Sequence, residues 1–431
     1  MKAYSKKITV SFLLYTIIFL NSIMPTKAEE INGKSAILID VITDTIMFEK
    51  NSQKKNFPAS TTKIMTALLT LEHCKNFEDK IKMSHDAVYS IAPGSSHIAM
   101  NEGETLTVEQ ALYGLLVASA NEIANALAEY VSGNVNDFCK LMNERAKKLG
   151  CKNTNFVNPH GYHNDEHFSC AYDIALMMKE AIKYEEFNKI INTKRYEIAP
   201  TEKQTETRIL YNTNKMIQYG EYYDADVVGG KTGYTNEAGH TLAIYAKRDD
   251  MQLISVVMGE ENFDAYTDTK KILNDGFNKF HDVELIKKND WQKNCTVTQK
   301  YKNKILDIDT VNVYPENDIV LKLPNTIDKS ELKITSELAE KISAPVKKTL
   351  PVGKIFVTYK NKIINETKLF PEENINLLDE KIIAKINRKE LVQKIFFVCI
   401  KVLAYLSLTF AILILLIRRI NIRRKRKRSK N

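Results

Sequence analysis

The chain has 431 residues, 44% hydrophobic and 27% charged, with a formal net charge of +9. That composition excludes a disordered polyelectrolyte, and the length exceeds one compact core at about 100–200 residues per domain. The last fourteen residues, RRINIRRKRKRSKN, carry nine basic groups, so the remainder is neutral and is not a polyanion binder by composition.

The N-terminus has Lys2, Lys6 and Lys7, an apolar run over 8–20, and small residues leading to Ala28. This is the layout of a secretory signal, cut after Ala28. Near the other end, residues 395–417 are apolar apart from Lys401 and a few Ser, Thr and Tyr. As a helix they would reach roughly 34 Å, enough to cross a bilayer core, with Lys401 snorkelling at one end. Basic flanks stay in the cytoplasm, so the membrane is an expected partner and residues 29–394 are expected outside. Beside such a span the tail reads as a topology signal and not as a nucleic-acid site.

Between these ends, residues 34–50 read as a hairpin turning at Thr43-Asp44. Residues 61–73 and 107–119 have helical apolar spacing, and Thr107 with Gln110 makes a capping box. Residues 121–131 and 137–149 continue as helices stopped by Gly133 and Gly150. Residues 241–247 and 252–259 alternate like strands. The texture changes near His281. Short alternating runs at 295–300, 310–314, 319–323, 355–359 and 363–369 predict a small all-β domain. An amphipathic stalk is expected over 375–394. The predicted organisation is a signal peptide at 1–28, a main domain at 29–281, a β domain at 282–374, the stalk, a transmembrane helix at 395–417 and a cytoplasmic tail at 418–431.

The six cysteines are Cys74, Cys139, Cys151, Cys170, Cys295 and Cys399, with no CxxC. A Cys151–Cys170 pair is left open, but no disulfide framework is indicated.

Three motifs carry the chemistry. In PASTTKIMT, Ser60 precedes a helix, and Lys63 one turn later shares its face. A serine with a nearby lysine is a nucleophile with a candidate base. In LLVASANEIANALAEY, Ser119 and Asn121 sit at a helix junction whose side chains can reach a cleft. The third, ADVVGGKTG, loosely fits a phosphate loop around Lys231. A phosphate loop needs an apolar strand before it and a helix after it. Here polar QYGEYYDAD precedes and a strand follows, so Lys231, Thr232 and Gly233 are expected to open a hairpin strand.

S-x-x-K, then S-x-N, then K-T-G resembles the motif set of the penicillin-recognising serine enzymes. The chain resembles the low-molecular-mass D-alanyl-D-alanine carboxypeptidases of that superfamily. NFPASTTKIMT, LTVEQALYGLLVASANEIANALAE, FVNPHGYHNDEHFSCAYDIA, VVGGKTGYTNEAGHTLA and APVKKTLPVGKIFV all read like that family. Ala120 stands where the family often has Gly, and Cys170 where Thr is common. The resemblance implies an α/β (α+β) transpeptidase/β-lactamase-like domain followed by the β domain. It implies Ser60 as nucleophile on the D-Ala-D-Ala end of a peptidoglycan stem peptide, Lys63 as base and Ser119 as proton relay. Asn121 would hold the substrate amide, and Lys231 and Thr232 the terminal carboxylate. Gly233 would leave room for substrate, and Tyr234 N–H would join Ser60 N–H in the oxyanion hole. β-Lactams would bind covalently. Many relatives end in a helix lying on the membrane, whereas this chain is expected to span it.

No cofactor or metal is expected. His160, His163 and His167 with Asp165 and Glu166 are dense enough to suggest zinc, but no H-E-x-x-H occurs. A class A β-lactamase would need an E-x-x-L-N stretch between Asn121 and Lys231, and none is found. A D,D-endopeptidase on cross-links and a catalytically idle wall-binding or β-lactam-sensing protein remain the alternatives.

Overall fold

The computed structural model describes residues 31–261, 264–301 and 304–428. The signal read at 1–28 lies outside them. The chain forms two compact units. One holds the chain up to Val283 with Lys322–Asp328; the other holds Glu284–Leu321 and the chain from Lys329.

In the first unit, β1 (Ser35–Asp40) and β2 (Ile46–Lys50) form the expected hairpin, with Asp44 at φ 63° in the turn. They join β3 (Val227–Thr235), β4 (Gly239–Arg248) and β5 (Met251–Glu260) in an antiparallel sheet of order β2-β1-β5-β4-β3. Every residue of β1 is buried because both faces of the sheet are covered. Ile37, Ile39, Ile254 and Val256 enter one core; Ala36, Leu38, Leu242 and Leu253 enter the other. The period of two along each strand divides them.

The helices that build the first core include α1 (Lys63–His73), α2 (Val108–Leu116), α3 (Asn121–Ser132), α4 (Val135–Leu149) and α5 (Ala171–Ala181). They contribute Leu68, Leu112, Leu127, Phe138 and Met178. The second core is closed by α6 (Asp264–Phe277) through Ile272, Leu273 and Phe277. The capping box forms as read: Thr107 Oγ1 accepts from Gln110 N at 3.0 Å, and Gln110 Oε1 accepts from Thr107 N at 2.9 Å. Gly133 and Gly150 cap α3 and α4 in the left-handed conformation.

Two local readings are corrected. The helix expected from residue 61 begins at Lys63, and Ala59–Thr62 form a tighter 3-10 turn. Ala59 sits at φ 47°, and Thr61 Oγ1 donates to Pro58 O at 2.6 Å, which holds the turn tight. Strand β3 begins at Val227, four residues before Lys231. Gly229 and Gly230 lie against the backbones of Ile191 and Ala243, where a side chain would not fit. Glycines weaken a strand reading but permit such close approach.

In the second unit, a six-stranded sheet contains β6 (Lys293–Tyr301), β7 (Lys304–Pro315), β8 (Leu332–Leu338), β9 (Lys341–Ser343), β10 (Gly353–Tyr359) and β11 (Lys362–Pro371). Its order is β8-β10-β11-β7-β6-β9. Val297, Val311, Val313, Ile355, Val357 and Leu369 fill its core. Strands β8 and β9 escaped the sequence reading because they lie at the two edges and no residue in either is buried.

The stalk and span form one helix, α7 (Glu380–Arg428), that starts five residues later than expected and runs on into the basic tail. Ile375 belongs instead to the β core, where it bridges to Val346. Apolar side chains along residues 395–417 are exposed, as on a helix that can cross a membrane by length and hydropathy. All six cysteines are free, so Cys151 and Cys170 do not pair.

Candidate active site

Ser60 lies in the 3-10 turn, and Lys63 opens α1. Lys63 is wholly buried. Its Nζ lies 2.9 Å from Ser60 Oγ, 2.7 Å from Asn121 Oδ1 and 2.9 Å from the His160 carbonyl. Ser119, in the link between α2 and α3, has a positive φ of 62°. A non-glycine residue seldom adopts that conformation, and such residues concentrate at functional sites. Here Ser119 Oγ accepts from Lys231 Nζ at 3.0 Å.

Lys231, Thr232, Gly233 and Tyr234 come from β3, which is the edge strand of its sheet. Lys231 is 1% exposed and also donates to Thr232 O at 2.8 Å. The Thr232 and Thr213 hydroxyls are 2.7 Å apart. A Cβ on Gly233 would stand 2.8 Å from Ser60 N, so only glycine lets the strand pass this close to the turn. Tyr234 is 57% exposed, with its ring 4.6 Å from that of His240. Ser60, Ser119, Asn121, Thr232, Gly233 and Tyr234 line one cavity of about 570 Å³. The two lysines stand behind this wall.

The electrostatics separate the lysines from ordinary ones. Burial, then the charge of Lys231, pushes the Lys63 ammonium well below its usual range, with Glu122 opposing. Burial alone brings Lys231 down to about 7. Both lysines therefore give up their protons more readily than an exposed lysine does.

The structure brings all eight sequence-selected residues around one space. Reading the sequence missed several neighbours. The His160 carbonyl on Lys63 is a backbone group and carries no side-chain signal. Gly161 follows it at φ 83°, and a Cβ there would overlap Ala59 O. Thr213 had no motif around it. The histidine-rich loop acts as a support. His167 Nε2 pairs with Thr62 Oγ1 at 2.8 Å, and the His163 ring meets Phe57 edge-on at 4.6 Å. Burial, with Lys63 next, lowers His160 to about 3. Burial, then His163 and Lys63, lowers His167 to about 3.

A serine against a buried lysine, a second serine–lysine contact and a free strand edge define an active-site-serine acyl-transfer enzyme. Residues 22–262 match the D-alanyl-D-alanine carboxypeptidase family, and residues 280–377 match the penicillin-binding protein 5 C-terminal domain. The chain belongs to the D-alanyl-D-alanine carboxypeptidase family. It is 34% identical to D-alanyl-D-alanine carboxypeptidase DacF of Bacillus subtilis, over 80% of this chain and 86% of that one. It is 32% identical to DacC of Escherichia coli, over 81% and 86%. Penicillin-binding protein 5 of Haemophilus influenzae has a similar structure, with a TM-score of 0.57 and 27% identity over 82% of this chain and all of that one. The Streptomyces K15 DD-transpeptidase aligns with a TM-score of 0.54 and 28% identity, over 58% of this chain and 98% of that one.

Proposed function

We propose that this chain removes the terminal D-alanine from peptidoglycan stem peptides through an acyl-enzyme on Ser60. One observation carries the assignment of the base. Lys63 Nζ has three polar neighbours, and two of them, Asn121 Oδ1 and His160 O, can only accept hydrogen bonds. A neutral amine has two hydrogens and one lone pair. The two carbonyls take both hydrogens, so the lone pair is left for the Ser60 hydroxyl.

Ser60 Oγ then attacks the carbonyl between the two D-alanines, and its proton passes to Lys63. Ser60 N–H and Tyr234 N–H receive the developing oxyanion. Ser119 takes that proton from Lys63 as it gives its own to the leaving amine, so both groups are restored as the C–N bond breaks. Water hydrolyses the ester, and the stem peptide leaves one residue shorter. Lys231, Thr232 and Thr213 hold the substrate's terminal carboxylate. Asn121, its oxygen engaged by Lys63, offers its amide N–H₂ to a substrate carbonyl. A β-lactam enters by the same route and stays on Ser60.

We place the enzyme at the cell membrane, with a cleaved signal over 1–28, a peptidase domain over 29–281 and a β domain over 282–374. Residues 395–417 cross the bilayer once and leave the basic tail inside. The deciding experiment offers wild type and Ser60→Ala a pentapeptide, a cross-linked dimer and a fluorescent penicillin. Wild type should release D-alanine from the pentapeptide and form a penicillin adduct; Ser60→Ala should do neither. Cleavage of the dimer in preference to the pentapeptide would make the enzyme an endopeptidase instead.

A further inference from the structure

One residue beside the catalytic cavity has its backbone gripped from two sides by buried ionisable side chains. Ile98 N donates to Glu122 Oε1 at 2.7 Å, and Ile98 O accepts from Arg208 Nε at 2.9 Å. Glu122 is the second residue of α3, next to Asn121, and Arg208 opens the strand Arg208–Tyr211. Both are buried. Arg208 Nη2 also donates to Ala99 O at 2.9 Å. The guanidinium is itself fixed by buried Glu104, whose two oxygens accept from Nη1 and Nη2 at 2.6 and 2.8 Å. Thr201 Oγ1 and Asn101 N donate to that carboxylate in turn, at 2.6 and 2.9 Å.

A buried ion pair seldom stabilises a fold more than apolar side chains of similar size would, and its best-attested use is to fix one arrangement. Here the arrangement is that of the segment leading into Ile98. Pro93, Gly94, Ser95 and Ser96 line the catalytic cavity together with Ser60 and the end of β3. Ser96 O accepts from Asn121 N at 2.8 Å, so the same segment meets the first residue of α3. Asn121 in turn places its Oδ1 on Lys63 Nζ. Ala99 has φ 55°, a conformation that a non-glycine residue keeps only where its surroundings impose it. Arg208, on the carbonyls of Ile98 and Ala99, supplies that constraint.

We propose that Glu122 and Arg208 are positioning residues for acylation: by gripping Ile98 on its N–H and its carbonyl, they hold residues 93–98 as a wall of the catalytic cavity and set Asn121 against Lys63. This rests on the serine–lysine reading above and adds to it two residues that touch no reacting atom. Neither side chain lines the cavity, so both act through the backbone that lies between them and the site.

The test follows penicillin acylation by stopped flow, counted per acylatable Ser60 so that misfolded molecules drop out. Misplacing a catalytic group slightly costs up to about 100-fold in rate, and Glu122→Ala and Arg208→Lys should each slow acylation about tenfold. Glu122→Gln keeps an oxygen for the Ile98 N–H and should recover most of that rate. Both side chains act through one residue, so the Glu122→Ala/Arg208→Lys double variant should be about as slow as the slower single one; independent effects would multiply to about 100-fold. Arg145→Met is the comparison. It breaks a partly buried ion pair with Glu72, neither of which lines the cavity, and should lower thermal stability while acylating normally. Hydrogen exchange over residues 93–99 reads the grip apart from the chemistry and should quicken in Arg208→Lys. Wild-type rates in Glu122→Ala and Arg208→Lys, a Glu122→Gln rate no better than that of Glu122→Ala, multiplying effects in the double variant, or equal slowing in Arg145→Met overturns the proposal. If wild type forms no penicillin adduct, the serine–lysine reading fails instead, and the exchange measurement still decides whether Arg208 holds the wall: unchanged exchange overturns it.

Discussion

Lys231 Nζ stands 3.0 Å from Ser119 Oγ, although the two residues are 112 positions apart. The contact joins the edge strand to the strained link between α2 and α3. It also sets a positive group near Lys63, whose ammonium is disfavoured first by burial and then by Lys231. Lys231 therefore has two consequences, one for substrate and one for the base.

Lys231→Met should separate them. Losing a charge-assisted hydrogen bond to the substrate carboxylate should cut kcat/KM for D-Ala-D-Ala peptides about 10–100-fold. Removing the positive neighbour should also raise the Lys63 pKa, because that neighbour lowers it. The acid limb of the acylation profile should then move to higher pH. Stopped-flow acylation by penicillin from pH 5 to 9 reads the shift directly. An unmoved limb would show that Lys231 does not tune Lys63.

The wild-type pH profile has its own signature. Activity rises with pH as Lys63 loses its proton, and falls as Lys231 loses the charge that holds the carboxylate. Lys231 stands at about 7 in the free enzyme, so kcat/KM should decline above neutral pH. A bound carboxylate favours the charged lysine and raises that pKa. The falling limb of kcat should therefore lie at higher pH than that of kcat/KM. Coincident limbs would remove Lys231 from carboxylate binding.

How far could this site be read without coordinates? Ser60, Lys63, Ser119, Asn121 and Lys231 to Tyr234 were legible because their chemistry sits in side chains or in a recognisable run. The helix caps at Thr107, Gly133 and Gly150 were legible because capping is local. The rest depended on tertiary approach. Nothing in HNDEH says that the preceding carbonyl faces Lys63. Gly229 and Gly230 weaken a strand by propensity, yet they allow β3 to pass close to Ile191 and Ala243. Ile375 looked like the first turn of an amphipathic helix, but the β core had already claimed it.

Gly161 gives a stability prediction. A methyl group there would overlap Ala59 O, in the turn that carries Ser60. Gly161→Ala should cost about 1–3 kcal/mol from overpacking, and it should slow penicillin acylation by displacing the turn. Gly133→Ala is the control. Gly133 also has a positive φ, 78°, but nothing lies within 4 Å of its Cβ position. It should lose only the left-handed strain of about 1–2 kcal/mol and acylate normally. Thermal unfolding and acylation rates of the two variants separate the effects. Equal acylation would dissociate Gly161 from the placement of Ser60.

The anchor can be tested with a cut chosen from the structure. Leu378 is tied to the β unit by reciprocal hydrogen bonds with Gln299, at 2.7 and 3.1 Å. Ile383 in the first turn of α7 is fully buried, so a cut at Leu378 would strip an apolar side chain from its place. A chain ending at Arg388 keeps Ile383 and loses the whole apolar run. It should be soluble, monodisperse and as reactive with penicillin as the full chain. The full chain should stay on membranes through high salt and alkaline carbonate, and leave only in detergent. Positive flanks predict the tail on the cytoplasmic side. An epitope after Asn431 should therefore resist protease added to intact spheroplasts and become sensitive when they are lysed. Release of the full chain by salt would make α7 a surface helix. Digestion of the epitope on intact spheroplasts would reverse the orientation.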